Sequence, residues 1–268
     1  MVSPKWRVTA PVFFGAINED AVFRLMEFFS LQESVYRARL RKPLVHLIQF
    51  QLNNIIIQTL ISNMNIELAR GKKVDLHKGS SGLGQFLINL KWNPGKAQKS
   101  FFGLRSSSQP IDLDLACLYE LTDGRKFCLQ ALGNSFGHVN EAPYIALDGD
   151  DRTGGSLNGE NIIVNGRMVA KIKRILVYTF IYDGVAKWKD ADGVVRIKCP
   201  GSSEIVIRMD DYSSLEKTCA IAMLENKRNE TFSVEKLVQF FPSNIQMDQA
   251  YNWGLNWIEG TKKPEREK

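Results

Sequence analysis

The chain has 268 residues, 44% hydrophobic, 24% charged and 10% aromatic, with a formal net charge of +6. That composition describes a globular protein with material for one large domain, or one domain plus an extension, and it excludes low-complexity and fibrous classes. The basic balance invites a nucleic-acid reading, but Lys and Arg are scattered. Their densest clusters are short ("RARLRK" at 37–42, "KIKR" at 171–174, "TKKPEREK" at 261–268) and no aromatic-interleaved motif accompanies them, so solvated surface is the expectation.

The first twenty residues lack an uninterrupted apolar core followed by a small-residue cleavage site, which argues against a secretory leader. From Glu19 to Leu40, Phe23, Met26, Phe28 and Phe29 recur at helical spacing behind Glu19 and Asp20, where a helix start welcomes negative charge. Pro43 interrupts, and Leu44–Ile61 resumes as a second predicted helix with apolar residues at 44, 48, 52 and 55. His46, Gln49, Gln51, Asn53, Asn54 and Gln58 exclude a membrane span there, which needs about 20 mostly apolar residues. Residues 1–66 are therefore read as a helical N-terminal extension.

After residue 67 the texture changes to short alternating runs. "GQFLINLKW" sets Phe86, Ile88, Leu90 and Trp92 on one face, and "DLDLACLYEL" does the same with Leu113, Leu115, Cys117 and Tyr119. An Asp123-Gly124 turn leads into "TDGRKFCLQAL". "RILVYTFIYDG", "GVVRIKC", "EIVIRMDD", "TCAIAMLEN" and "FSVEKLVQFF" follow as strands, and "MDQAYNWGLNW" as a closing helix. Many short strands between turns, without a parallel βαβ rhythm, predict an all-β fold: an antiparallel β-sandwich over 67–260, with 261–268 as a flexible tail. Cys117, Cys128, Cys199 and Cys219 form no CxxC pair and three lie in apolar runs, so reduced thiols and a cytoplasmic setting are expected.

The chemistry-bearing residues are acidic. In the run "DLDLAC", Asp112 and Asp114 share a strand face, because side chains alternate, with Cα atoms about 6.6 Å apart. The glycine-rich stretch "ALDGDDRTGGSLNGENI" (146–162) adds Asp148, Asp150, Asp151 and Glu160. Carboxylates this crowded repel unless a metal ion, a basic partner or plain water separates them. Hard oxygen donors without His or Cys suit Ca²⁺, which takes six to eight oxygens. The loop is not an EF-hand: counted from Asp148, position five is Arg152, position six Thr153 and position twelve Gly159. Spacing alone leaves metal site and solvated acidic turn as equal readings. His46, His77 and His138 are not at zinc-ligand spacing, and "KGSSGLGQ" lacks the GK[ST] ending of a phosphate loop.

"KVDLHKGSSGLGQFLINLKW", "DLDLACLYEL", "LDGDDRTGG", "RILVYTFIYDG" and "CAIAMLEN", in this order, resemble the TerD-domain family of tellurium-resistance and stress-response proteins, closest to its TerA branch. The resemblance covers roughly residues 67–260. It implies a cytoplasmic β-sandwich that binds Ca²⁺ through a DxD strand and a GDNRTG-type loop. Carried over by residue, these are Asp112, Asp114 and Asp150, and Asp151 stands where the motif has Asn. The dense acidic run usual after the loop reads "GGSLNGEN" here, leaving Glu160 as its only carboxylate, which argues against a full second site or tight affinity. A non-enzymatic Ca²⁺-binding module follows, working with other Ter-type proteins near the inner membrane face. Two other classes use the same residues differently: a metal-dependent hydrolase, or a sugar- or peptide-binding sandwich with Trp188, Trp253 or Trp257 as stacking platforms.

Overall fold

The computed structural model describes residues 65–78, 82–93, 111–149, 159–183, 188–209 and 214–258. The chain divides into two compact units, Met1–Ile56 and Ile57–Lys268. The helices expected over 19–40 and 44–61, and the tail 261–268, lie outside the described residues.

Among the described residues of the second unit, the strands form two sheets. One has seven strands in the order β1 (Asn65–Glu67), β11 (Glu204–Arg208), β10 (Val194–Lys198), β3 (Gln85–Lys91), β8 (Glu160–Asn165), β7 (Ile145–Leu147) and β6 (Gly137–His138). The other has six: β2 (Lys73–Asp75), β13 (Thr231–Phe241), β12 (Thr218–Lys227), β9 (Ile172–Asp183), β4 (Asp112–Leu121) and β5 (Lys126–Leu129). Neighbours pair antiparallel, except that β1 runs parallel to β11. Among the described residues, the first strand of the sandwich is β1, at Asn65–Glu67.

Alternation builds the main core. Phe86, Ile88 and Leu90 of β3, Ile162 and Val164 of β8, and Leu113, Leu115 and Cys117 of β4 all point between the sheets. The six-stranded sheet is also covered on its outer face. Ala116 and Leu118 of β4, Leu176 and Tyr178 of β9 and Ala220 of β12 form a second cluster with Met247 and Trp253. Strands buried on both faces read as continuous apolar runs, which is why "DLDLACLYEL" and "TCAIAMLEN" alternate so weakly.

The cover of that second cluster corrects the expected closing helix over 247–257. After a four-residue helix α1 (Trp188–Ala191), helix α2 spans Asn244–Ala250, with Ser243 as its N-cap accepting from the Ile245 amide. It stops there because Asn252 and Gly254 adopt left-handed backbone, at φ of 54° and 74°. The Asp248 carboxylate takes over the donors beyond the helix: the amides of Gly254 (2.7 Å) and Leu255 (3.0 Å) and the Trp257 indole N–H (3.0 Å). The Arg174 guanidinium lies 3.8 Å over the Trp253 ring, whose N–H donates to the Tyr119 carbonyl. Trp188 is equally committed: its indole donates to the Glu216 carbonyl at 2.7 Å and packs edge-on against Phe240. Trp188 and Trp253 are core residues, with no open ring face for a ligand.

Candidate functional site

The acidic residues gather where strand ends meet. Leu90 near the end of β3 pairs with Glu160 at the start of β8, and Asp112 at the start of β4 pairs with Asp183 at the end of β9. The segments 94–110, 150–158 and 184–187, which continue from these ends, lie outside the described residues, so Asp150 and Asp151 are not placed.

Asp112 and Asp114 keep the shared face that strand geometry demands, but that face is the covered outer side of the six-stranded sheet. Asp112 is 8% exposed and Asp114 fully buried. Asp114 lies on the side of Ala116, Leu118 and Tyr178. Burial raises the Tyr178 hydroxyl well above its ordinary value, and after Cys128 and Cys117 the Asp114 charge adds to the effect. That hydroxyl donates to Gln130 Oε1 at 2.9 Å.

Glu160 comes from the opposite sheet. β5 pairs with β4 only from Cys117 to Glu120, so among the described residues no strand meets the amides earlier in β4 on that side. Leu115 N–H, the amide immediately after Asp114, donates to Glu160 Oε2 at 2.5 Å. Glu160 is 2% exposed and follows Gly159, whose φ is +65°. A Cβ on Gly159 would stand 2.1 Å from the Leu90 carbonyl oxygen, so only glycine lets the chain enter β8 here. The structure therefore brings Asp112, Asp114 and Glu160 to one end of the sandwich.

Asp148 is placed differently. It is exposed and faces Asn161, not Glu160. Ile162 and Val164 of β8 point into the core, so Glu160 points inward and Asn161 outward. Among the described residues, no three His, Cys, Asp or Glu side chains form a group able to hold a metal ion.

Sequence reasoning passed over Asp183, the backbone partner of Asp112, whose only signal was the "YDG" ending of its strand. It also passed over Asn89, although an amide inside the apolar run "GQFLINLKW" is a visible exception to the pattern. His138 accepts the Asn140 and Glu141 amides on Nδ1 and closes its own turn. All four cysteines are free thiols, and burial pushes Cys128 and Cys199 up to about 11. Among the described residues, no helix is long and apolar enough to cross a membrane.

Comparison with known proteins gives the same span a lineage. Residues 64–231 match the model of the TerD domain. The chain is 38% identical over 203 residues to tellurium resistance protein TerA of an Alcaligenes species, across 75% of this chain and 60% of that protein. It thus spans less than two thirds of that relative's length. Stress response protein SCP2 of Bacillus subtilis is 26% identical over 173 residues, 63% of this chain and 82% of its own. A solved homologue of telluride resistance protein TerD from Streptomyces coelicolor, at 17% identity, covers 62% of this chain and 95% of its own, with a TM-score of 0.42. The match to the domain model opens just ahead of β1 and takes in Asp112, Asp114 and the whole of 148–160, and on that evidence the chain belongs to the TerD-domain family.

Proposed function

We propose that this chain is a non-enzymatic calcium-binding module of the tellurium-resistance and stress-response type. It acts in the cytoplasm, within an assembly of Ter-type proteins near the inner membrane face. The observation that carries the calcium reading is the burial of Asp112, Asp114 and Glu160 at one end of the sandwich. A carboxylate drawn out of water costs several kcal/mol unless hydrogen bonds or positive charge offset it, and a bound cation at this end would supply such charge. An all-oxygen donor set without His or Cys favours a hard dication of calcium size. Asp112 and Asp114 would hold it from β4, Glu160 from β8, and Asp150 and Asp151 from the loop between. Bound there, the ion would act as a cross-link between two sheets and a loop. Nothing in the sequence places a nucleophile beside a general base, and the buried Trp188 and Trp253 count against a stacking site for sugars.

Calcium should raise the melting temperature. A ligand that binds only the native state adds about 2.7 kcal/mol at a hundredfold excess over Kd. With the ligand run thinned to Glu160, affinity is expected between about 10⁻⁶ and 10⁻³ M. Asp112→Asn and Asp150→Asn should each remove most of the calcium-dependent rise, and the double variant should be little worse than either. Asp123→Asn is the control, because Asp123 sits in the β4–β5 turn bonded to Arg125. A wild-type melting temperature unmoved by millimolar calcium would sink the reading.

A further inference from the structure

β7 ends at Leu147 and β8 opens at Glu160, and the residues flanking this gap hold each other. Asp148 donates its backbone N–H to the Asn161 carbonyl at 3.0 Å. In return its carboxylate accepts the Asn161 backbone N–H on Oδ1 at 3.0 Å and the Asn161 side-chain amide on Oδ2 at 2.6 Å. Asn161 Oδ1 accepts from Asn89 Nδ2 at 2.7 Å, and the same Asn89 amide group donates to the Glu160 carbonyl at 3.3 Å. Asn89 and Asn161 face each other in register across β3 and β8, and both are buried. Strand interiors disfavour asparagine, so two buried side by side call for a specific use. Hydrogen bonds to a carboxylate are stronger than neutral ones, which makes Asp148 the anchor of the row.

Successive strand residues point to opposite faces. Glu160 therefore reaches inward to the Leu115 amide of β4, while Asn161 reaches outward to Asp148. The two ends of the acidic stretch are thus tied to one sheet and, through Glu160, to the strand that carries Asp112 and Asp114.

We propose that Asp148 is a positioning residue for calcium and not a ligand: with Asn161 and Asn89 it fixes the entry to β8, so that Glu160 is held at the Leu115 amide, at the end of the sandwich where β4 carries Asp112 and Asp114. The proposal rests on the calcium reading above. Both Asp148 oxygens are turned to Asn161, on the face of β8 away from Glu160.

The test uses the full chain, with calcium chloride as the probe. In metal-free protein, Asp148→Ala and Asn161→Ala should each lower the melting temperature by about 2–4 °C. The double variant should fall no further than the worse single, because both delete the same bonds. Exchange of the Asn161 amide hydrogen should accelerate in Asp148→Ala. In calcium titrations both variants should weaken binding by about tenfold or more, as loss of an outer-shell partner does, with stoichiometry unchanged. The deciding variant is the exchange Asp148→Asn with Asn161→Asp. The carboxamide at 148 can still accept the backbone N–H and now donates to the carboxylate at 161, which also accepts from Asn89. Calcium affinity should return toward wild type. A swap that binds as poorly as Asp148→Asn alone, with Asn161→Ala keeping full affinity, makes Asp148 a ligand and overturns the proposal. A wild type that binds no calcium overturns the calcium reading and the positioning role with it. Additive melting shifts and unchanged exchange in metal-free protein overturn the tie itself.

Discussion

At Glu120, burial and two cations pull in opposite directions. Its side chain is 6% exposed, and burial alone would raise the carboxyl. Hydrogen bonds from Lys173 Nζ at 2.7 Å and Arg174 Nε at 2.6 Å, with the charge of Arg174, outweigh that and hold it below its ordinary value. A depressed folded value contributes stability above the unfolded pKa, near 4.3, and that contribution disappears as pH falls through the folded value. Glu120→Gln should therefore cost about 1–3 kcal/mol at neutral pH. The gap to wild type should close in melts run below about pH 4, and a gap independent of pH would show that charge is not the cause. The same alternation explains the thiols: Cys117 points between the sheets and Cys128 to the outer cluster, so the two nearest cysteines in sequence stand on opposite faces and cannot pair.

β8 is the element on which the candidate site depends, and its entry is steric. Gly159→Ala would set a methyl 2.1 Å from the Leu90 carbonyl in a left-handed backbone. The chain must then shift at Glu160, one residue on. We expect a loss of about 1–3 kcal/mol, and calcium binding weakened together with it. Gly124→Ala is the comparison, since its backbone is also left-handed, at φ of 88°, but a Cβ there meets open space. Equal calcium affinity in the two variants would detach Gly159 from the site. α2 and the stretch after it show what periodicity misses at this scale. Tyr251, Trp253 and Trp257 look helical in sequence. They instead continue as irregular chain, because Asp248, Arg174 and Lys126 take up backbone groups beyond Ala250.

For the whole molecule, the division between Ile56 and Ile57 predicts that a chain reduced to 57–268 unfolds in one cooperative transition and retains its calcium response. Sloping, non-cooperative melts of that chain would mean that earlier residues contribute to its core. Much of this sandwich was legible beforehand. The run 84–92 carries its own period of two, and the hairpin at Asp123-Gly124 needs only its turn residues. The sharing of one face by Asp112 and Asp114 also follows from local geometry. What covers that face does not: Ala116, Leu118 and Tyr178, on the side of the buried Asp114, cluster with Met247 and Trp253 from beyond residue 240. Nor does any local rule pair β1 with β11, set Asp183 opposite Asp112, or turn Asp148 to Asn161 while Glu160 crosses to Leu115. The sequence by itself determined which residues share a side, because alternation is a property of neighbours along the chain. Only the tertiary structure decided what each side faces, because strand partners and sheet packing join residues far apart in the chain.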